Sequence, residues 1–376
     1  MAFYVTGIST PEVHLESPPL LGTLTRSGCF AAAIDSLSMA ELGAILDPVL
    51  PWLLEDDDPA VRHQALRSLL DRPEDAPEVR RARRAAMRAD PIRTILEAQH
   101  PDGYWVKPGP GYAPKYTGTV WQLIFLDQLG ADPSDQRIRR ACGYVLSHTQ
   151  AESGGFGASG RVDALRPPSS EVVHCLNGNL LRALIGFGFL EDERVGRAID
   201  WEARAITGQG DVPFYQSGTS GPGFRCGINE GLPCGWGASK ALLGLARIPP
   251  KRRRPIVRPA LEEGIEFLLS VDPATALYPM GWGNTEPSKL WFKLGFPAGY
   301  QADFLEILEV ATELGRARDP RLGTSIELLL SKRGRDGRWC NEHAFNRKTW
   351  IDFERQGKPS KWVTLRACRV LRRALS

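Results

Sequence analysis

The sequence lacks several features that would assign it to whole classes of protein. It contains no run of about 18 apolar residues, so no segment reads as a membrane-spanning helix. Its first 38 residues lack the charged start, apolar stretch and cleavage site of a signal peptide, and we expect a cytoplasmic protein. The 47 basic and 44 acidic residues give a net charge of only +3. Clustered positive charge is the footprint of nucleic-acid binding, so we expect no such partner.

Signals for disulfides and strands are also scarce. The seven cysteines are an odd number, spread from Cys29 to Cys368, and do not form a disulfide pattern in a chain of 376 residues. No Cys-x-x-Cys pair occurs. The alternation of apolar and polar residues that is typical of strands is nearly absent. The cysteines are therefore predicted to be buried thiols, metal ligands or nucleophiles in a helical protein.

What the sequence does contain is an internal repeat. Each copy is an amphipathic helix that ends in Gln or Lys, followed by a glycine-containing turn and an aromatic residue. The aromatic residues of the five predicted copies are Trp105, Phe156, Phe214, Trp282 and Trp339. Their spacing of roughly 50 to 70 residues fits two helices with their connections.

A second helix is predicted after each of these aromatic residues. The predicted second helices lie at about 115–129, 171–188, 231–246, 299–314 and 360–374. They are rich in Leu, Ala and Gly and poor in charge, as expected of helices with neighbours on every side. The helices before the turns carry more Arg and Glu. This difference predicts an inner ring of buried helices and an outer ring that faces water.

The segment Gln-x-x-Asp-Gly-x-Trp at 99–105 resembles the QW repeat of squalene–hopene cyclases and of protein prenyltransferase β-subunits. The resemblance covers about residues 90–376 and implies an all-α fold, an α/α toroid of five to six helix pairs. We therefore predict a toroid over 91–376, with helices that pack on the ring over 39–90 and a strap or tail over 1–38. The N-terminal helices could supply part of a sixth pair. Such motifs are structural, so the resemblance implies the fold rather than the reaction.

In a toroid of this kind, the amino-terminal tips of the inner helices are expected to line the central cavity. Free N–H groups at these tips favour anions and thiolates, and we therefore place the site there. The candidate catalytic residues are His174, Cys175, Glu230, Cys234 and Asp303. The candidate substrate-binding residues are Arg225, Asn229, Trp236, Trp282, Tyr300, Lys361 and Trp362.

A zinc site is one interpretation of these residues. His174, Cys226, Cys234 and His343 are residue types that zinc accepts as ligands. The resemblance to prenyltransferases, which hold one zinc ion with Asp, Cys and His, implies the same cofactor. However, the Asp-x-Cys pair of that family has no counterpart here, and Trp362 stands where the family has its His. Buried thiols beside a hydrogen-bonded His are the alternative.

Acid catalysis on an alkene is a second interpretation. Class II terpene cyclases protonate a double bond with an Asp-x-Asp-Asp motif, and the nearest string here is the acidic run 55–58. That run precedes Pro59 and is better predicted as a helix start with Asp58 as its N-cap. A cyclase would then need Glu230 or Asp303 as its acid.

Three functions stay open at this point. The first is an enzyme that acts on a small, partly apolar substrate in the cavity, with cyclase-like or transferase-like chemistry and zinc assistance. The second is a hydrolase of ester-like substrates that uses zinc, or Cys175 or Cys234 activated by His174 or His343. The third is a ligand-binding or scaffold protein without catalysis. We expect a small-molecule substrate and a monomer or homodimer.

Overall fold

The computed structural model describes residues 39–158, 166–210 and 217–375, and over these ranges the regular secondary structure is almost entirely α-helical. The α-helices are α1 (Met39–Leu46), α2 (Leu50–Leu53), α3 (Pro59–Ser68), α4 (Pro77–Ala86), α5 (Ile92–Glu97), α6 (Thr119–Gln128), α7 (Gln136–His148), α8 (His174–Gly186), α9 (Glu193–Thr207), α10 (Gly235–Ala246), α11 (Val257–Leu269), α12 (Phe304–Glu313), α13 (Gly323–Ser331) and α14 (Lys361–Leu375). One short antiparallel pair, β1 (Ser220–Gly221) and β2 (Arg225–Cys226), interrupts them. None of the described helices combines the length and apolar composition needed to cross a bilayer.

Six of the described helices form a closed inner circle. In order around it come α3, α6, α8, α10, α12 and α14, with direct packing from α6 through to α14 and between α14 and α3. The circle closes where Arg369 of α14 donates to Ser68 Oγ (2.7 Å) and Gln64 Oε1 (2.6 Å) of α3. Gln64 Nε2 in turn donates to the carbonyl of Gln128 at the end of α6 (2.8 Å). The predicted α/α toroid is therefore confirmed, and α3 supplies the sixth inner helix.

The tryptophans of the first and last repeats close their turns against their own helices. The indole N–H of Trp105 donates to the carbonyl of Ile95 at 2.7 Å. The indole of Trp339 makes the same bond to Leu329, also ten residues earlier, at 2.7 Å. Both rings are fully buried. A buried indole needs such a partner, which explains why the repeat keeps a tryptophan at these two positions.

The residue at the end of the repeat helix links neighbouring outer helices. Gln150 Nε2 donates to the carbonyl of Gly154 in its own turn (2.7 Å) and to that of Arg194 at the start of α9 (2.6 Å). In the last repeat Arg333, one residue after the predicted Lys, has this role. Its guanidinium reaches the carbonyl of Ala44 in α1 at 3.1 Å. The outer ring is thereby joined from its last helix to its first.

The prediction that Trp282 is the aromatic residue of the fourth repeat is wrong. Trp282 is 71% exposed, whereas Tyr278 is buried and its hydroxyl donates to the carbonyl of Leu268 at 2.7 Å. This bond again spans ten residues, so Tyr278 takes the position of the repeat tryptophan. Phe214, the aromatic residue of the third predicted copy, lies outside the described residues.

The acidic run 55–58 ends in a helix cap, as predicted. The Asp58 carboxylate accepts a hydrogen bond from the backbone N–H of Val61 at 3.0 Å, and Pro59 opens helix α3. An N-cap carboxylate satisfies a backbone donor that the helix leaves free. This string therefore has a structural role in the start of α3.

Two glycines bring α8 and α10 into close contact. A Cβ atom added at Gly178 would lie 2.3 Å from the carbonyl carbon of Lys240, and one added at Gly244 would lie 2.5 Å from the carbonyl oxygen of Gly178. Real Cβ atoms do not approach other atoms so closely. The glycine content of these inner helices therefore allows backbone-to-backbone packing, and fixes the spacing of the circle at this point.

The substitution Gly178→Ala is expected to lower the free energy of unfolding by about 1–3 kcal/mol, because the helices must move apart. Gly143→Ala in α7 is the matched control, since a Cβ there meets nothing within 4 Å. The control should raise the free energy of unfolding by up to about 1 kcal/mol through helix propensity. Urea unfolding measures both values, and two changes of the same sign would contradict the proposed packing.

Candidate functional site

The inner circle encloses a cavity of about 450 Å³, called the hollow below. It is lined by one face of each of several inner helices. On α12 this face carries Glu306 and Glu309, and on α14 it carries Trp362, Arg366 and Arg369. These spacings of three and four residues are those of a single helix face. The hollow therefore extends along the axis of the ring from the amino-terminal third of α12 towards the carboxyl ends of the inner helices.

The location differs from the one predicted from the sequence. We expected the amino-terminal tips of the inner helices to share the cavity, but aromatic rings fill much of that end. Tyr300 packs against Trp236 and Trp121, with ring centroids 6.1 and 6.4 Å apart. Trp236 also packs against Trp291 at 5.9 Å. Tyr300 and Trp236 therefore belong to the packed end of the ring, and a small cavity of about 30 Å³ lies beside them.

Glu306 lies in the wall between the two cavities and lines both. Its Oε2 atom accepts a hydrogen bond from the Lys240 ammonium group, and both side chains are almost fully buried. Its Oε1 atom is buried without a hydrogen-bond partner. Burial raises the pKa of Glu306, and the nearby Lys240 ammonium opposes but does not cancel this rise. The site thus contains a buried carboxyl group with one unpaired oxygen, in a residue that lines the hollow.

Asp303, the predicted acid, is the N-cap of α12 instead. Its Oδ1 atom accepts from the backbone N–H of Glu306 (2.8 Å) and from Arg366 (3.1 Å). Its Oδ2 atom accepts from Arg366 (3.2 Å) and from the backbone N–H of Gly295 (3.3 Å). Arg366 also binds Glu309 through two bonds of 3.0 and 2.8 Å. Asp303 has no unpaired oxygen, so its role here is to hold Arg366 and the start of α12.

Aromatic side chains form part of the wall of the hollow. Phe296 stacks on Trp362 with ring centroids 4.3 Å apart and planes only 1° from parallel. Both rings and that of Phe187 line the hollow. Trp362, predicted as a substrate-binding residue, thus lies where a bound substrate would meet it. The faces of such rings attract cations, by about 0.5–2 kcal/mol each.

His174 is paired with a carboxylate away from the hollow. Its Nδ1 atom lies 2.6 Å from Glu202 Oε1, and its Nε2 atom lies 3.1 Å from the carbonyl oxygen of Gly221. Burial opposes a charge on this ring, but the Glu202 carboxylate outweighs that effect and raises the pKa of His174. Both nitrogens face acceptors, so both carry protons. An imidazolium has no lone pair for a metal ion or for the activation of a thiol.

The predicted zinc ligands do not fit a metal ion. Cys226 and Cys234 are neighbours, but His174 is an imidazolium and His343 lines the small cavity beside Glu306. Over the described ranges, no three His, Cys, Asp or Glu side chains are arranged to hold a metal. The two thiols share a hydrogen bond, while burial raises the pKa of Cys175 to about 12. Cys175 therefore stays a thiol at neutral pH.

Several other predicted residues lie outside the hollow. Asn229 joins two loops, since its Nδ2 atom donates to the carbonyl of Pro279 (3.0 Å) and its Oδ1 atom accepts from the N–H of Gly281 (3.0 Å). Glu230 accepts from the N–H of Trp282 (2.5 Å). The remaining members of this group are the exposed Arg225 and Lys361, which is paired with Glu55 and Asp57. None of these residues lines the hollow.

The sequence interpretation missed His63 on α3. This side chain lines the hollow, is only 4% exposed, and has no hydrogen-bond partner at either ring nitrogen. Its helix was assigned to the segment that packs on the ring, and no motif marks it. The only available signal was a polar face on α3, where Gln64, Arg67 and Ser68 accompany His63 at helical spacing.

Comparisons with known proteins concern the fold. No family model matches the sequence, and no curated protein is significantly similar to it. Among solved structures, the chain is similar to the type II terpene cyclase MstE from Scytonema, with a TM-score of 0.42 and 16% identity over 89% of this chain and 98% of that one. For a variant of MstE bound to its substrate geranylgeranyl dihydroxybenzoate, the TM-score is 0.42 and the identity 17%, over 89% of this chain and 97% of that one. For a protein from Actinoplanes, the TM-score is 0.30 and the identity 11%, over 76% of this chain and 97% of that one.

The thiol pair gives a prediction about reactivity. A hydrogen bond from Cys234 lowers the pKa of Cys226 to about 6, so Cys226 is expected to react first with iodoacetamide, with a pH midpoint near that value. Cys368, whose pKa burial raises to about 12, should stay unmodified in the folded protein. The substitution Cys234→Ala removes the donor and should move the midpoint of Cys226 upward. Mass spectrometry of peptides after timed alkylation measures each site. A midpoint near 9 in the unsubstituted protein would contradict the pairing.

Proposed function

We propose that this protein is a cyclase-like enzyme that protonates the alkene of a partly apolar substrate in the hollow, with Glu306 as the acid. The observation that carries the proposal is the buried carboxyl group of Glu306, which has one unpaired oxygen and belongs to a residue that lines a cavity inside the ring. A proton donor of this kind needs a proton on the oxygen that meets the substrate. The arrangement around Glu306 favours that state in two ways.

The first feature that favours a protonated Glu306 is the balance of charge among the buried groups around it. Lys240 and Arg366 contribute two positive charges, and Asp303 and Glu309 contribute two negative charges, all connected through hydrogen bonds. Within these hydrogen-bonded groups, which do not include the nearby Arg369, the charges balance when Glu306 is protonated. An additional buried negative charge would be costly, since desolvation of an ion in a protein costs several kcal/mol.

The second feature that favours a protonated Glu306 is that its two carboxyl oxygens have different partners. Lys240 donates to Oε2, which leaves Oε1 to carry the proton. When the proton moves to an alkene carbon, the resulting carboxylate is already bound to an ammonium group. The product of the transfer is thus stabilised more than the reactant, and this lowers the barrier. The reaction forms a carbocation on the substrate and a carboxylate at Glu306.

The walls of the hollow suit a cation and its apolar chain. Phe187, Phe296 and Trp362 present rings to the hollow, and a volume of about 450 Å³ lies in the range of small-molecule sites. Arg182, exposed Arg247 and Arg369 also line it. Arg369 has only the neutral partners Gln64 and Ser68 among its hydrogen bonds here. A substrate with an isoprenoid chain and an anionic group would match this combination.

The other functions considered from the sequence have less support. A Cys–His hydrolase needs a neutral histidine beside its thiol, but His174 faces two acceptors and is occupied by Glu202. A scaffold would have no need of a buried carboxyl group with an unpaired oxygen. No observation specifically favours either function, so each becomes an outcome of the experiment below.

The substitution Glu306→Gln is expected to lower the rate of cyclisation by about 10²–10⁴-fold, because the amide cannot transfer a proton to carbon. The assay incubates the protein with geranylgeranyl dihydroxybenzoate, the substrate recorded for the MstE variant, and measures cyclic products by mass spectrometry. In the unsubstituted protein the rate should fall as the pH rises through the raised pKa of Glu306. This direction follows because only the protonated carboxyl group is active.

Glu262→Gln on the outer helix α11 is the control. Its carboxylate is exposed and pairs with Arg316 on the outside of the ring, so its loss should leave the rate unchanged. A Glu306→Gln variant that keeps its fold and more than a tenth of the activity would refute the assignment. Binding of the probe without any conversion by the unsubstituted protein would favour the ligand-binding alternative.

A further inference from the structure

A second group in the hollow has the properties of a proton acceptor. His63 belongs to α3, and its imidazole is buried with neither ring nitrogen hydrogen-bonded. It lines the same cavity as Glu306, which belongs to α12. Helix α14 stands between these two helices in the circle, so the two side chains reach the hollow from different walls. A buried polar group left without a partner costs about 1–3 kcal/mol, unless a ligand in the cavity supplies one.

The charges around His63 keep it neutral. Burial lowers the pKa of this imidazole to about 4, and the guanidinium groups of Arg83 on α4, Arg67 on α3 and Arg369 on α14 act in the same direction. Asp132, in the connection after α6, opposes them only weakly. At neutral pH the ring therefore has one nitrogen with a free lone pair. Such a nitrogen accepts a proton, whereas the raised pKa of Glu306 makes that group a donor.

The seam between α3 and α14 keeps His63 in this position. Arg369 spans the seam, donating through Nε to Ser68 Oγ and through Nη2 to Gln64 Oε1, one residue after His63. Two carboxylates that also line the hollow are already engaged. Glu309 is held by Arg366, and Asp127 lies 3.5 Å from Arg182. The unpaired imidazole is thus the better placed acceptor of these three.

We infer that His63 accepts the proton that ends the reaction in the hollow. This inference rests on the proposed function. After Glu306 transfers its proton and the ring closes, the substrate holds a positive charge on carbon. A C–H bond next to that carbon then breaks, its electron pair forms a new double bond, and its proton moves to an imidazole nitrogen. The substrate gains one proton and loses one, so the overall change is an isomerisation and no co-reactant is needed.

The same surroundings explain how the enzyme would return to its starting state. Three arginines destabilise the imidazolium formed at His63, so that it releases its proton readily to water at the mouth of the hollow. The carboxylate at Glu306 takes up a proton because burial disfavours its charge. One turnover thus moves a proton from the carboxyl group to the imidazole, and solvent reverses the transfer.

The experiment compares His63→Phe and His63→Gln with the unsubstituted protein and with Glu306→Gln, using geranylgeranyl dihydroxybenzoate as the probe. If His63 accepts the proton, its variants should still consume substrate, but the share of the main alkene product should fall at least about tenfold. Products in which water has captured the cation, or with the double bond at another position, should replace it. Glu306→Gln should instead convert nothing. Gas chromatography with mass spectrometry separates these products.

The second measurement is the melting temperature, which shows whether a variant has a folding defect. Phe removes two unpaired buried nitrogens, so the melting temperature of His63→Phe should equal or exceed that of the unsubstituted protein. An unchanged product distribution in both folded variants would overturn the role of His63 while leaving that of Glu306 intact. Absence of conversion by the unsubstituted protein would overturn both. A purely structural role would change the melting temperature and leave the product distribution as it was.

Discussion

The whole arrangement depends on the closure of the ring between helices from opposite ends of the described chain. Helix α14 lies against α3, where Arg369 joins Gln64 and Ser68. On the outside, Arg333 of α13 reaches the carbonyl of Ala44 in α1. Stacked helix pairs without this closure would form an open solenoid, with apolar faces exposed at both ends. Closure buries those faces, and it converts a row of separate helix faces into a single enclosed hollow.

Closure also explains the charges found inside. Inner helices with neighbours on every side are expected to be apolar, but α12 and α14 present Glu306, Glu309, Arg366 and Arg369 to the hollow. Most of these charges are paired, as burial requires. Lys240 on α10 completes the set. Burial raises the pKa of Glu306 more than the Lys240 ammonium and the Arg366 guanidinium lower it, and this favours the neutral carboxyl group. The protonation state of this acid thus follows from its position in the fold more than from its residue type.

The sequence predicted well those features that depend on residues close together in the chain. The tryptophans of the first and last repeats, Trp105 and Trp339, were assigned correctly because each turn is a local unit with its own motif. The fourth repeat was misplaced by four residues, since the exposed Trp282 stands near the buried Tyr278 in a glycine-rich loop. The sequence cannot show which of two nearby aromatic residues points inward. That choice depends on packing against Leu268 and its helix.

The site was harder to predict because its properties come from distant partners. Asp303 and Glu306 are three residues apart, yet one caps a helix and the other has an unpaired oxygen. The difference arises from Arg366, which lies about 60 residues further along the chain. His174 looked like a base, but the carboxylate of Glu202 makes it a cation. In each case a partner on another helix of the toroid decides the protonation state, and the repeat motif gives no information about it.

Two side chains of the hollow combine burial with unpaired polar atoms. Both nitrogens of His63 and one oxygen of Glu306 have no hydrogen-bond partner. Buried atoms without a partner also occur outside the hollow, for example Trp201 Nε1 and Gln99 Oε1. An unpaired buried polar group costs about 1–3 kcal/mol unless a ligand supplies a partner. His63 and Glu306 line one shared cavity, on two walls joined by α14, and the proposed substrate would supply a partner to each.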